Sequence, residues 1–179
     1  MKRLLILRHA KSSWKDMTLA DFERPLNKRG KKDGPRRGRL LSELGLVPDL
    51  IVSSAAKRAR LTAEAVAQAS GYEEEVETTR DLYMAMPRDF IAVLNQVPDS
   101  TGAVLVVGHN PGIEQLVEDL SGQWRRMPTA ALAHLSLPIN RWRDLDDETE
   151  GRLKNLSSRL PVPVRKNQQK RTRAIVISL

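Results

Sequence analysis

Leu4-Leu5-Ile6-Leu7 is an unbroken aliphatic run, and Arg8 and His9 follow it at once. A strand that is apolar on both faces must be covered on both faces, which is the situation inside a parallel sheet packed between helices. The same constraint recurs at Leu50-Ile51-Val52 and, most strongly, at Ala103-Val104-Leu105-Val106-Val107. Helical signals lie between these runs. Residues 33–44 read as a helix, with Asp33 as its cap, Pro35 in the first turn and Gly45 as its stop. Ser53-Ser54 ends the second strand and is placed to cap a helix over 55–69. Residues 87–97 and 111–120 read as further helices, the last capped by Asn110 with Pro111 at its first position. Weaker strands are expected over 76–78 and 131–137, and an antiparallel edge strand over 152–156. Strands alternating with helices of about a dozen residues predict an α/β fold: a three-layer α/β/α sandwich with a mainly parallel sheet.

The 179 residues suit one domain with a substantial core. The expected division is a domain over 1–158 and a basic, loosely ordered tail over 159–179, whose end, 175–177, reads either as a late strand or as unpacked chain. Aromatic residues are only 4%, so the core must be aliphatic. Cysteine is absent, which removes disulfides, thiolate metal sites and thiol nucleophiles and fits a reducing compartment. Met1-Lys2-Arg3 opens like a signal peptide, but the apolar run stops at Arg8, too soon for an h-region. No stretch has the length of a membrane span. A cytoplasmic enzyme or binding domain, with no membrane partner, is the expectation.

The net charge of +8 invites a nucleic-acid reading. Its distribution argues against one. Arg159, Arg165, Lys166, Lys170, Arg171 and Arg173 face no acidic residue in the tail, and without them 24 basic residues stand against 22 acidic ones. The scarcity of aromatic residues also leaves no stacking platform for single strands. A non-catalytic or nucleic-acid-binding protein that uses the basic tail remains an alternative from another class.

Ligands of open α/β sheets bind outside the carboxyl ends of the strands. Three such ends carry chemistry here: Arg8-His9; Ser53-Ser54 with Lys57, Arg58 and Arg60 beyond it; and Gly108-His109-Asn110-Pro111-Gly112. Taken singly, each is equally a strand that ends in polar residues or a turn. Taken together on neighbouring strands, they bring two imidazoles and at least two guanidiniums to one edge. That set suits a phosphoryl group. Arginine offers a planar fork of donors that never loses its charge, and a helix start adds backbone N–H groups, here with Asn110 at the corner. A neutral histidine attacks phosphorus, while a second donates to the oxygens as charge shifts. Two histidines without converging carboxylates make a poor metal site, so neither metal nor cofactor is expected. His134, in an alternating strand, reads as structural.

With Arg58-Ala59 and Thr62-Ala63 added, these corners resemble the histidine phosphatase superfamily, of phosphoglycerate mutase-like fold. Arg8-His9-Ala10-Lys11-Ser12-Ser13-Trp14, Arg24-Pro25-Leu26-Asn27, Val107 to Gly112 and Thr129-Ala130-Ala131 look like its SixA-type phosphohistidine phosphatases, over residues 2–157. The resemblance implies that His9 is the nucleophile and that Arg8, Arg58 and His109 complete the phosphate pocket. Many members carry a carboxylate general acid after the third strand. Here that segment reads Asp81-Leu82-Tyr83-Met84-Ala85, and Asp81 is the nearest candidate.

A site without an acid suits a phosphohistidine, whose imidazole leaves easily, better than an ester, whose alkoxide gains about 10²–10⁴-fold from a positioned acid. No long insertion is present to form a lid, which suits a phosphorylated protein as substrate. The expected activity is phosphohistidine phosphatase, or hydrolase of another phosphomonoester. The alternative within the fold is a phosphatase or mutase acting on a small phosphate ester.

Overall fold

The computed structural model describes residues 1–157. The expectations for 159–179, including a late strand at 175–177, lie outside the described residues. The strands are β1 (Lys2–Arg8), β2 (Leu50–Ser54), β3 (Glu77–Thr79), β4 (Ala103–Gly108), β5 (Leu132–Leu137) and β6 (Arg152–Ser157). The helices are α1 (Gly30–Glu43), α2 (Lys57–Ser70), α3 (Pro87–Leu94) and α4 (Gly112–Ser121). One sheet runs β3-β2-β4-β1-β5-β6. The pairings β3–β2, β2–β4 and β4–β1 are parallel, and β1–β5 and β5–β6 are antiparallel. The mainly parallel sheet and the antiparallel edge strand are both as expected.

The double-sided apolar runs explain the three layers. On β1, Leu4 and Ile6 point to one face, where they join Val104, Val106 and the α3 and α4 residues Phe90 and Leu116. Leu5 and Leu7 point to the other, with Leu105, Ile51 and the α1 and α2 residues Leu41 and Val66. Leu4 to Leu7 are fully buried, and burying one such side chain stabilises the fold by roughly 1.5–3 kcal/mol. Helices α1 and α2 pack closely because Gly38 has no Cβ; one there would strike the Val66 carbonyl and Ala69.

Several helix starts differ from expectation. Helix α1 begins at Gly30, three residues before Asp33. The Gly30 N–H is taken by Asn27 Oδ1 at 2.9 Å, so Asn27 supplies the cap. Asp33 is instead buried inside the helix and paired with Arg29 at 3.3 Å and Arg36 at 3.8 Å, and Pro35 falls beyond the first turn. Helix α2 starts at Lys57 without a side-chain cap, and Ser54 is committed elsewhere. Helix α4 likewise has no side-chain cap, so Asn110 does not play that part. Gly45 does stop α1, in the left-handed conformation at φ 62°.

Candidate active site

Parallel register carries the strand tips into one place. Arg8 pairs with Gly108 across β1–β4, and Ser53 with Val107 across β2–β4. The His9 amide extends the ladder by one bond to the Gly108 carbonyl. His9 and His109 therefore stand side by side, ring centroids 4.9 Å apart. A cleft of about 230 Å³ opens there, lined by Arg8, His9, Arg24, Arg58, His109 and Asn110 among others. Arg8, His9, Arg58, His109 and Asn110, the expected catalytic and phosphate-binding residues, meet in it. A larger cavity of about 690 Å³, lined by Ile91, Asn95, Leu120 and Leu145 among others, shares no lining residue with it.

The hydrogen bonds fix the state of each imidazole. His9 Nδ1 lies 2.8 Å from the Ala10 carbonyl, which can only accept, so Nδ1 carries the proton. The Ala10 peptide is itself held by its N–H to Thr62 Oγ1 at 3.0 Å. His9 Nε2 is left with its lone pair, and Arg58 Nε donates to it at 3.3 Å. Burial first, and then the charges of Arg58, Arg8 and Arg24, pull the His9 pKa down to about 4 despite the Ala10 bond. The ring is neutral and nucleophilic at neutral pH.

His109 Nε2 lies 2.9 Å from Ser54 Oγ. That oxygen accepts the Ala56 N–H at 3.3 Å, so its own proton is free to go to Nε2. The His109 proton then sits on Nδ1, which is buried and has no hydrogen-bond partner among the described residues. Burial, then neighbouring His9 and Arg58, lowers the His109 pKa to about 3, so this ring too is neutral. Its Nδ1–H is a donor left unspent in the cleft.

Arg8 donates through Nη1 to the Met127 carbonyl at 2.9 Å, while its buried Nε has no partner among the described residues. Asn110 donates to the same carbonyl at 3.1 Å, and the Met127 N–H is held by Glu114 at 2.7 Å. One amide N–H of Asn110 is thus spent on the loop that steadies Arg8. At the neighbouring corner, Gly112 is obligatory because a Cβ there would overlap the Ala85 carbonyl.

Sequence reasoning gave no role to the loop residues that meet the cleft's arginines. Asp21 sits in a 3-10 turn, Asp21–Glu23, between β1 and α1. Its Oδ2 accepts from Arg58 Nη2 at 2.8 Å and from Tyr83 Oη at 2.9 Å, and its Oδ1 accepts from Arg24 Nη1 at 2.7 Å. Arg24 also donates to Ser12 Oγ at 2.7 Å and stacks its guanidinium on Trp14, 3.1 Å from the ring centroid. The Asp21–Arg24 spacing was the one local signal. Partial burial raises the Asp21 pKa, but the bonds from Tyr83, Arg58 and Arg24 outweigh it, so the carboxyl is held below its ordinary value.

Asp81 is not brought into the cleft. It sits in an exposed 3-10 turn, Arg80–Leu82, where it is bonded to Thr79, and lines a separate depression with Leu50 and Glu77. His134 lies on β5, opposite Leu5 and Asn155, in agreement with its structural reading. Among the described residues, no three His, Asp or Glu side chains converge as metal ligands, and no helix is long and apolar enough to cross a membrane.

Two neutral imidazoles and buried guanidiniums at the carboxyl edge of a phosphoglycerate mutase-like sheet define a class, and the chain belongs to the histidine phosphatase superfamily. The family model for that superfamily, branch 1, matches residues 4–83. Within the class the likeness runs to SixA proteins. One of Agrobacterium tumefaciens, assigned as a phosphohistidine phosphatase, superposes with a TM-score of 0.74 at 27% identity, over 87% of this chain and 97% of that one. A second, from Nakamurella multipartitia, gives 0.76 at 25% identity, over 87% and 95%. An uncharacterized chloroplastic protein of Arabidopsis thaliana is 35% identical over 80% of this chain and 70% of its own length.

Proposed function

We propose that the chain is a phosphohistidine phosphatase that works through a covalent phospho-His9 intermediate. In this reading Arg8, Arg58 and the His109 Nδ1–H hold the phosphoryl oxygens, with Asn110 beside them bracing the Arg8 loop. His9 Nε2 attacks phosphorus, the bond from phosphorus to the substrate imidazole breaks, and that imidazole takes a proton from solvent. Water then attacks phospho-His9, loses its proton, and releases inorganic phosphate and neutral His9.

The single observation that carries the reading is the bond between His9 Nδ1 and the Ala10 carbonyl, which keeps the ring's lone pair on Nε2, where the 3.3 Å bond from Arg58 Nε has to yield before attack, beside two orphaned donors. The choice of a P–N bond rests on the proton inventory. Asp21 is the carboxylate bonded to the cleft's arginines, and it is ionised; Asp81 is remote. A leaving imidazole tolerates that lack of an acid, whereas an alkoxide forgoes about 10²–10⁴-fold. A phosphorylated protein is the substrate class this favours. A cytoplasmic location belongs to the same reading and rests on the cysteine-free chain.

Incubation with a phosphodonor, followed by mass spectrometry, tests the mechanism: label is expected on His9, phosphate release is expected to persist in chelator, and His9→Ala is expected to abolish turnover. Full activity of His9→Ala would overturn it. A panel of phosphohistidine peptides and sugar phosphates tests the substrate, and faster turnover of the sugar phosphates would favour a small-ester phosphatase or mutase.

A further inference from the structure

Asp21 is not explained by the chemistry of either step. The cleft is lined by four cationic side chains, Arg8, Lys11, Arg24 and Arg58. Asp21 places its carboxylate directly on two of them, Arg24 and Arg58, from a turn that is otherwise outside the strand-end constellation. Its backbone carbonyl also accepts from Arg58 Nη1 at 2.5 Å. A carboxylate has about four lone-pair positions, and three of these are taken by Arg24, Arg58 and Tyr83. An ionised group bound in this way has no proton to give and little basicity to offer. What it retains is its charge.

That charge sits against the guanidinium that donates to His9 Nε2. A phosphoryl group bound at Nε2 would share Arg58 with it, two anions on one cation. We propose that Asp21 is a built-in counter-anion that weakens the cleft's hold on inorganic phosphate, the product, so that free phosphate does not occupy a site this rich in cations. The inference rests on the phosphatase reading above for the identity of the cleft. Asp21 acts through Arg58 and by repulsion, which makes it a tuning residue.

The test is calorimetric binding of inorganic phosphate to the full chain at about pH 8, where the dianion predominates. Asp21→Asn keeps the shape and an acceptor oxygen for Arg58 but removes the charge. It is expected to bind phosphate roughly fivefold or more tightly than the unsubstituted protein, by a margin that shrinks as salt screens the repulsion. Asp21→Glu, which restores the charge, is expected to bind within about twofold of the unsubstituted protein. Unchanged or weaker binding by Asp21→Asn would overturn the proposal, weaker binding meaning that the carboxylate merely holds Arg58 in place. Equal tightening by Asp21→Asn and Asp21→Glu would also overturn it, since charge would not be the cause. Absence of phosphate binding in all three proteins would overturn the phosphate-cleft reading itself together with the inference.

Discussion

Removing the Ser54 hydroxyl tests the donor logic of the cleft without touching a group that meets the phosphoryl oxygens. Ser54 Oγ receives the Ala56 N–H and faces His109 Nε2, so it is the group that keeps the His109 proton on Nδ1. In Ser54→Ala the buried Nε2 has lost its donor. Leaving a buried polar atom unpaired costs about 1–3 kcal/mol. Nothing then fixes the proton on Nδ1, and in the tautomer that carries it on Nε2 the Nδ1 atom presents a lone pair where a donor was needed. Loss of one preorganised donor to a developing anion costs about 2.7–4 kcal/mol in comparable sites. Between these limits kcat/KM is expected to fall by roughly ten- to a thousandfold. Most of the fall should appear in kcat, because the donor matters most as charge builds on the oxygens. Steady-state kinetics with a phosphohistidine peptide measures it, and the nitrogen chemical shifts of His109 report the proton's position directly. Ser54→Thr should retain most of the activity. A fall of less than about twofold in the alanine variant, or a His109 proton found on Nε2 in the unsubstituted protein, would refute the argument.

Three further outcomes are expected. Arg58→Ala should lower kcat/KM by several kcal/mol in transition-state terms, since it removes both a phosphoryl donor and the partner of His9 Nε2; a change under about twofold would put Arg58 outside the pocket. Stability should fall as pH drops from 6.5 toward 4: His9 stays neutral in the folded state down to about 4 while the unfolded chain takes up protons from 6.5, and the difference is worth roughly 3 kcal/mol. Urea unfolding across that window checks it, and His9→Gln should lessen the decline without abolishing it, because His109, neutral down to about 3, adds its own share. Gly38→Ala should destabilise the fold by about 1–3 kcal/mol without altering the cleft, because its Cβ would force α1 and α2 apart; thermal unfolding and phosphate binding together check both halves of that statement.

His9 and its neighbours in the cleft were readable from the chain because they follow directly on apolar runs that read as buried strands. Leu4 to Leu7 and Ala103 to Val107 each read as a strand buried in a parallel sheet, with Arg8, His9 and His109 just beyond their ends; that the two strands are neighbours was a condition of the reading, and the β1–β4 pairing meets it. The resemblance then supplied their roles. Asp21 and Tyr83 were not readable, since each acts across a fold: Asp21 meets Arg58 across 37 positions and Tyr83 across 62. No local period encodes such a meeting. Caps were misplaced for different reasons. Ser54 Oγ faces His109 across the fold, Asn110 turns its amide N–H to the Met127 carbonyl and leaves its oxygen unpaired among the described residues, and Asp33 lies inside α1, paired with Arg29 and Arg36 one turn away.

The central position of β1, between β4 and β5, has a consequence for how such a site diversifies. Amides in a strand paired on both sides and covered on both faces exchange only when most of the domain opens, so the His9 imidazole hangs from the slowest-exchanging part of the molecule. Asp21, Arg24 and Trp14 ride instead on the 11–29 connection, which carries few buried apolar residues and can be lengthened or recoloured at small thermodynamic cost. In the phosphatase proposed above, attack and recognition therefore sit on different mechanical parts, and a lineage can rewrite what enters the cleft while the geometry of His9 Nε2 stays fixed.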